Sequence, residues 1–254
     1  MISCIFVCYL AVFAHSDTGV FVDNSKLQTP NSKEAVDPDT LYAQREDLSS
    51  ARRAAEIWEQ RVQGNGGDFE SAWKLARARY WLGGHADAKE RKRLLEAGIA
   101  SARLASRLQP NRPEGHFWTA ANMGALAESF GLRQGLKYRG EIRDELLTVL
   151  RLDPPFQQGS ADRALGRWYA KVPGLFGGSR KKSEEHLRRS LAYNPNSIAS
   201  RFFLAETLLD MDRKAEAIAE LQRIVDLQPD PEWLPEDREF KQKAQRLLST
   251  VRQK

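Results

Sequence analysis

The amino-acid sequence predicts an all-α protein, an α-solenoid of about four helix pairs with a C-terminal capping helix. Pro195 and Pro229 each close a similar stretch of chain, and they lie 34 residues apart. Strand-like alternation of β-branched residues is nearly absent. Small and large apolar residues alternate between the two prolines, at Leu204, Ala205, Leu208, Ala217, Leu221 and Ile224. This spacing is that of the tetratricopeptide (TPR) repeat, in which two antiparallel helices interlock.

The composition favours a folded protein and gives no support to nucleic-acid binding. The chain has 254 residues, of which 41% are hydrophobic and 29% are charged, close to the globular average. The net charge is +5, but acidic residues interrupt the basic runs, as Glu184 and Glu185 do after residues 180–182. The sequence shows no recognition helix and no aromatic RNA-binding signature. We therefore predict a solvated surface of mixed charge and no nucleic-acid partner.

From residue 41 onward the helical period predominates. Residues 51–62 place apolar side chains at three- and four-residue steps, which predicts a helix ahead of the first repeat. Residues 69–82 and 88–108 are expected to form the first helix pair, with Tyr80 at the position where the repeat holds a large aromatic ring. Glycines between these segments end the helices.

Three further pairs and a cap follow. Pro113 suits the first turn of the second pair, whose second helix is expected over residues 134–152. The third pair contains L-G-x-x-Y at residues 165–169, a TPR signature, and the fourth has the regular 34-residue length. A solenoid needs a terminal element with a polar outer face, and the amphipathic segment 235–251 meets that need.

The repeats differ in length. The closing prolines are Pro110, Pro154, Pro195 and Pro229. The second pair carries about ten more residues than a standard repeat and the third about seven. Because insertions usually enter loops, we expect extra loops around residues 130–139 and 171–179.

The segment before the repeats predicts export. Residues 1–14 are apolar, contain no charged side chain, and end in Val12-Phe13-Ala14, which fits a signal-peptidase site. Residues 15–40 are polar and are expected to form a flexible linker to a helical repeat domain over 41–254. The expected location is periplasmic or secreted, with membrane association if the chain is lipidated. Lipidation and the true start codon stay open.

No catalytic or metal-binding pattern is present in the sequence. The four histidines have no H-x-x-x-H spacing, and the two cysteines both lie in the apolar leader. The sequence contains neither G-x-S-x-G nor a catalytic-cysteine context. It therefore predicts a protein that is not an enzyme, with no cofactor and no metal. A strongly shifted Asp or Glu in a closed pocket would reopen the question of catalysis.

The repeat register also predicts a binding surface. The concave groove of a TPR array is lined by fixed positions of the first helix of each pair. Aromatic and charged side chains at those positions suit a peptide, an extended protein segment or a small amphipathic ligand with an acidic end. For each aromatic taken alone, packing between repeats is the favoured interpretation, because apolar residues at helical spacing usually belong to a core, and the charged positions are the better functional candidates. The candidate ligand- or partner-binding residues are Lys74, Trp81, Phe117, Asn122, Arg163, Arg167, Phe202 and Glu206.

A more specific resemblance comes from the order of five segments. They read AWKLARARYWLG at 72–83, GHFWTAAN at 115–122, ALGRWY at 164–169, PGLFGGSRKKS at 173–183 and FLAETL at 203–208. Together they resemble the TatT family, the T component associated with tripartite ATP-independent periplasmic (TRAP) transporters. The chain is also similar, more distantly, to eukaryotic microtubule-dynamics regulators of TPR layout, against which the cleavable-looking leader argues.

The TatT resemblance implies a periplasmic, often lipid-anchored protein that forms oligomers and docks a solute-binding protein. It also implies an apolar pore or cavity in each subunit. The expected function is therefore a non-catalytic accessory subunit that holds a small apolar or amphipathic ligand. The alternative is a general scaffold for protein–protein interaction in the cell envelope. The expected partners are a protein, a small hydrophobic ligand and further copies of this chain.

Overall fold

The computed structural model describes residues 36–253, apart from the side chain of residue 132. The predicted leader, residues 1–14, and most of the predicted linker, 15–40, lie outside these residues. The last part of that linker is helical, because α1 begins at Pro38, where the Asp37 carboxylate accepts hydrogen bonds from two backbone N–H groups of the first turn. Residues 38–40, which the sequence assigned to the linker, therefore belong to a helix.

The described residues form helices and contain no β-strand. The helices are α1 (Pro38–Ala43), α2 (Leu48–Gly64), α3 (Phe69–His85), α4 (Ala88–Leu108), α5 (Pro113–Phe130), α6 (Leu132–Leu152), α7 (Phe156–Lys171), α8 (Arg180–Tyr193), α9 (Ile198–Leu209), α10 (Lys214–Asp226) and α11 (Leu234–Gln253). The all-α solenoid prediction is confirmed. The four pairs are α3/α4, α5/α6, α7/α8 and α9/α10, and α11 is the terminal helix.

Polar side chains cap several of the helices and mark where these helices begin. The Asp68 carboxylate accepts a hydrogen bond from the Ser71 backbone at the start of α3, and Asp87 accepts one from the Glu90 backbone at the start of α4. Ser179 caps α8 in the same way. Each of these caps satisfies one of the backbone donors that a first helical turn leaves unpaired.

Apolar residues at the repeat positions form four clusters along the described part of the solenoid. The central cluster joins α3 to α7 and includes Leu95, Met123, Leu146 and Leu165, which are all buried. Gly166 of the L-G-x-x-Y signature allows α7 and α8 to approach closely, because a Cβ there would lie 2.5 Å from Leu187 Cγ. Small residues at such positions let the paired helices interlock.

The two predicted insertions have different structures. The expected loop around 130–139 is absent, since α5 ends at Phe130 and α6 begins at Leu132. Gly131 alone makes the turn, with φ of +82°, a conformation that favours glycine. The extra residues lengthen the two helices, because helix-forming side chains continue on both sides of that glycine. The second insertion does form a loop, which contains a short 3-10 turn at Gly174–Phe176.

The first helices of the pairs form the inner row of the solenoid. Helix α3 packs against α5, α5 against α7, α7 against α9, and α9 against α11. Among the described helices, none is both long enough and apolar enough to cross a membrane.

Candidate functional site

The inner row of helices surrounds a cavity of about 1770 Å³, which we call the channel. Helices α3, α5, α7, α9 and α11 all contribute side chains to its wall, and so do α1 and the segment that follows it. Pockets that bind drug-sized ligands usually measure about 300–1,000 Å³. The channel therefore exceeds the size that a single small molecule requires.

Six of the eight predicted binding residues line the channel and two do not. The six in the wall are Trp81, Phe117, Arg163, Arg167, Phe202 and Glu206. Lys74 and Asn122 lie elsewhere. The TPR register therefore places most of the predicted residues on one surface, although the tasks of these residues differ.

Lys74 does not line the channel and is held by acidic residues. Its Nζ lies 2.8 Å from Asp39 Oδ2 and 3.9 Å from Glu70 Oε2. Asp39 belongs to α1, a helix that the sequence assigned to the linker, so this partner could not be anticipated. The ion pair links α1 to α3.

Asn122 is a packing residue between helices. It is fully buried, and its Nδ2 donates to the Ala76 carbonyl at 3.2 Å and to the Trp118 carbonyl at 2.8 Å. Its side chain fills the space that Gly98 leaves open on α4, where a Cβ would lie 2.1 Å from Asn122 Oδ1. Asn122 was expected on the concave surface, but its side chain faces the neighbouring repeat and therefore lies outside the channel wall.

The three predicted aromatic residues both line the channel and pack against neighbours. Phe117 makes an edge-on contact with Phe156, with ring centroids 5.5 Å apart, and Phe202 lies 5.4 Å from Phe240 of α11. Each is less than a tenth exposed. These rings form the apolar part of the wall, and most of their surface serves the fold.

Arg167 links three helices of the inner row. Its Nε donates to Glu128 Oε1 of α5 at 2.9 Å, and its Nη1 donates to Glu206 Oε2 of α9 at 2.5 Å. Its guanidinium also lies over the Phe203 ring at 4.6 Å. The predicted residues Arg167 and Glu206 are therefore partners, and their charges largely satisfy each other.

Arg163 is different, because it makes no ion pair and donates no hydrogen bond within residues 36–253. Burial lowers the pKa of its guanidinium, since the channel wall replaces much of the surrounding water. The nearby groups that act on its charge are Tyr80, Asp237 and Glu236.

Tyr80, which holds the large aromatic position of the first repeat, lines the channel. It exposes 38% of its surface, and its ring lies 5.7 Å from that of Trp118 on α5. Loss of water around the hydroxyl raises the pKa of Tyr80. The large aromatic position therefore borders α5 on one side and the open space of the channel on the other.

Ion pairs join the first and last elements of the solenoid in a contact that we call the seam. Arg45, which follows α1, donates to Glu236 Oε1 at 2.9 Å and to Glu236 Oε2 at 2.5 Å. Arg238 pairs with Glu46 at 2.7 Å. The seam brings residues nearly two hundred positions apart into contact, and no local sequence pattern predicts it.

His85 extends the seam from α3. Its Nε2 lies 2.7 Å from Glu239 Oε1 and its Nδ1 lies 2.8 Å from the Trp81 carbonyl. Hydrogen bonding to Glu239 raises the pKa of His85, and the same bond lowers the pKa of Glu239. Because both ring nitrogens face acceptors, the protonated imidazole satisfies both contacts.

The first turn of α7 forms an unusual part of the channel wall. Gln157, Gln158 and Gly159 have φ of 45°, 59° and 78°, so this turn is left-handed. Non-glycine residues rarely adopt this conformation, and a run of three costs conformational free energy. A side-chain hydrogen bond from Asn194, which follows α8, to Gln158 holds the turn in place. Gln157 Oε1 is buried without a partner among the described residues.

Comparison with known proteins gives the family. The model of the family "Regulator of microtubule dynamics protein 1-3" matches residues 37–252, which is nearly all of the described chain. The chain belongs to this family. The regulator of microtubule dynamics family is the one to which the sequence resemblance was more distant, and the comparisons do not confirm membership of the TatT family. A search of curated proteins found no significant match.

Solved structures agree on the fold of this family member. The TPR protein TTC0263 of Thermus thermophilus matches with a TM-score of 0.63 and 23% identity over 83% of this chain and 97% of that chain. MamA matches with a TM-score of 0.49 and 14% identity over 79% of this chain and 95% of that chain. The first of these comparisons shows the TPR fold.

Proposed function

We propose that this chain is a non-catalytic TPR scaffold whose channel holds an extended polypeptide segment of a partner protein. The observation that carries this proposal is the size and mixed lining of the channel. A space of about 1770 Å³ with aromatic and charged side chains along five helices suits a chain of residues better than a single compact molecule. The family name, which describes regulators of microtubule dynamics, supports a protein partner.

The state of the charged groups supports binding rather than catalysis. Arg167 is held by Glu128 and Glu206, and Arg45 is held by Glu236. His85 engages acceptors with both ring nitrogens. Groups that are already paired are poor general acids or bases, because proton transfer to a ligand would break existing contacts.

A second candidate function follows from the apolar part of the channel. Phe117, Trp118, Ile142, Leu146 and Trp168 contribute apolar surface to the wall. Such a surface suits a small apolar or amphipathic ligand, as in a TatT-like accessory subunit that docks a solute-binding protein of a TRAP-type transporter. This candidate requires a periplasmic or secreted location, and membrane association and oligomerisation belong to it.

A pair of measurements tests the two candidates. A display library of random dodecapeptides, selected on the immobilised full chain, should yield peptides that bind with Kd of about 1–100 μM. Native mass spectrometry of the chain purified from its own cells should show no retained small molecule. Failure to select any peptide would contradict the proposal, and a retained lipid-sized mass would favour the second candidate.

A pair of substitutions tests whether the peptides bind in the channel. Phe117 lies in the channel wall, whereas Leu175 lies in the loop between α7 and α8, does not line the channel and is 90% exposed. We expect Phe117→Ala to weaken the selected peptides and Leu175→Ala to leave them unchanged. Equal effects of the two substitutions would mean that the peptides bind outside the channel.

A further inference from the structure

Arg163 is the feature of the channel that the fold does not explain. Other arginines of the wall have partners among the described residues: Arg45 pairs with Glu236, Arg167 pairs with Glu128, and Arg139 donates to the Leu136 carbonyl. Arg163 makes no ion pair and donates no hydrogen bond within residues 36–253, although it lies in the middle of the inner row. It is half-buried, so its guanidinium has lost part of its hydration without gaining a protein partner.

The acidic groups near Arg163 are already engaged elsewhere. Glu236 accepts two hydrogen bonds from Arg45 in the seam. The Asp237 carboxylate accepts the backbone N–H of Asp230 at 2.9 Å. Neither reaches Arg163 as an ion-pair partner, so the guanidinium keeps its donors free for a group that enters the channel.

Tyr80 supplies a second donor in the channel wall. Its hydroxyl makes no hydrogen bond within the described residues, and the side chain lines the channel. Arg163 and Tyr80 both line the channel, and neither side chain has a hydrogen-bond partner among the described residues. A guanidinium and a neutral hydroxyl that face one space form a donor set for an anionic oxygen.

The polar groups nearby favour a polypeptide as the carrier of that oxygen. Several amide side chains line the channel on and beside the helix that carries Arg163, namely Gln157, Gln158, Asn194 and Asn196. Amide groups pair with the backbone N–H and C=O of a polypeptide, whereas an alkyl chain leaves them unsatisfied. The wall around Arg163 therefore suits a carboxylate that is carried by a polypeptide segment.

We propose that Arg163, together with Tyr80, binds a carboxylate of a polypeptide segment that lies in the channel. The carboxylate comes either from an Asp or Glu side chain or from the C-terminus of the segment. This inference rests on the proposed function, because it specifies which chemistry the channel selects. It assigns Arg163 the task of choosing acidic segments over neutral ones.

The test uses a library of random dodecapeptides selected on the full wild-type chain. We expect the selected peptides to share one acidic residue or to require a free C-terminus. Replacing that residue by its amide, or amidating the C-terminus, should weaken binding about 10- to 100-fold, the effect of a lost charge-assisted hydrogen bond. Comparison of the two replacements shows which source supplies the carboxylate.

The variant Arg163→Gln completes a double-mutant cycle. It should weaken the acidic peptide by a similar factor, and the amide peptide should then bind wild type and variant almost equally. Arg163→Lys keeps the charge and should restore part of the affinity. Arg143→Gln is the matched control, since Arg143 is exposed on α6 outside the channel wall and pairs with Asp144.

Three outcomes would overturn the proposal, and each is distinguishable. Selected peptides that bind Arg163→Gln as tightly as wild type would place the carboxylate site elsewhere, while the proposed function stands. Failure to select any peptide would remove the proposed function and this inference together. Uptake of oleate that Arg163→Gln abolishes, without any selected peptide, would assign Arg163 to an amphiphile instead. Circular dichroism of each variant separates these outcomes from loss of folding.

Discussion

The repeat interfaces and the seam hold the same molecule together by different balances of forces. At the interface of α7 and α8, Leu165, Gly166 and Leu187 are buried, and a buried ion pair joins Asp162 to His186. At the seam, Arg45 pairs with Glu236 and His85 pairs with Glu239. The repeat interface depends mainly on burial of apolar surface, and the seam depends mainly on charge.

Because of this difference, the stability of the repeat interfaces and that of the seam depend differently on pH and salt. Apolar packing changes little with pH or with moderate salt, because no charged group takes part. Ion pairs that remain partly exposed are weakened by salt and by titration of either partner. The seam therefore depends more strongly on solution conditions than the apolar part of the repeat interfaces does.

The largest expected effect comes from the apolar region. Leu165→Ala removes a fully buried side chain from the central core and should lower the free energy of unfolding by about 2–5 kcal/mol, because a cavity remains. Urea denaturation monitored by circular dichroism measures this change. Leu175→Ala is the control, because Leu175 is 90% exposed and its loss should alter the free energy by less than about 0.5 kcal/mol. Equal effects would mean that the core does not run through α7.

An intermediate effect is expected at the seam. Glu236→Gln leaves the buried guanidinium of Arg45 without its anionic partner and should cost about 1–3 kcal/mol. The loss should be local, so hydrogen exchange should accelerate in α1 and α11 and stay slow in α5 and α7.

The control for this prediction is a surface pair. Glu56→Gln breaks the ion pair with Arg53, in which both side chains are 58% exposed, and should change exchange nowhere. Uniform acceleration of exchange in every helix of Glu236→Gln would show that the seam and the repeats unfold as one unit.

The smallest expected effect is the pH dependence of the seam. The raised pKa of His85 means that its stabilising contribution is fully present below about pH 6 and is lost as pH rises through the raised value. Glu239 has a lowered pKa, so its contribution is present above about pH 4 and is lost as pH falls through the lowered value. The ion pair between His85 and Glu239 therefore stabilises the seam most between about pH 4 and pH 6. Because both side chains are partly exposed, the difference should stay below about 1 kcal/mol.

Two histidine variants separate this local effect from a general one. His85→Gln should abolish the pH dependence of the hydrogen-exchange protection factors of α11, the observed rates corrected for intrinsic base catalysis, between about pH 6 and pH 8. His116 also has a raised pKa, through its hydrogen bond to Glu145, but it lies between α5 and α6. His116→Gln should leave exchange in α11 unchanged. The same result for both variants would contradict the assignment of the pH response to the seam.

The sequence predicts the repeats well because their cause is periodic and local. The 34-residue spacing places Leu204, Leu208 and Leu221 on facing helices, and all three are buried. The Gly166 position follows from the same register. The register also brings Arg167 and Glu206 to the channel, since concave positions recur at fixed offsets.

The ion pair of Lys74 with Asp39 and those of the seam could not be predicted, because they join residues that are distant along the chain. The partner of Lys74 is on α1, and the partner of Arg45 is on α11. The channel position of Tyr80 follows from the width of the enclosed space, which no single repeat encodes. The spacing of the closing prolines showed that the second pair has extra residues, so we expected a loop at residues 130–139. The spacing did not show that these residues lengthen α5 and α6 instead.

If the channel holds a polypeptide as proposed, the seam would also govern how quickly that polypeptide enters or leaves. A segment with a free end would thread along the channel while Arg45 and Glu236 stay paired. An internal loop of a folded partner has no free end, and it would enter sideways only when the seam parts. Association of such a loop would then be limited by the opening rate, and once the seam reforms the bound loop would dissociate no faster than the seam opens.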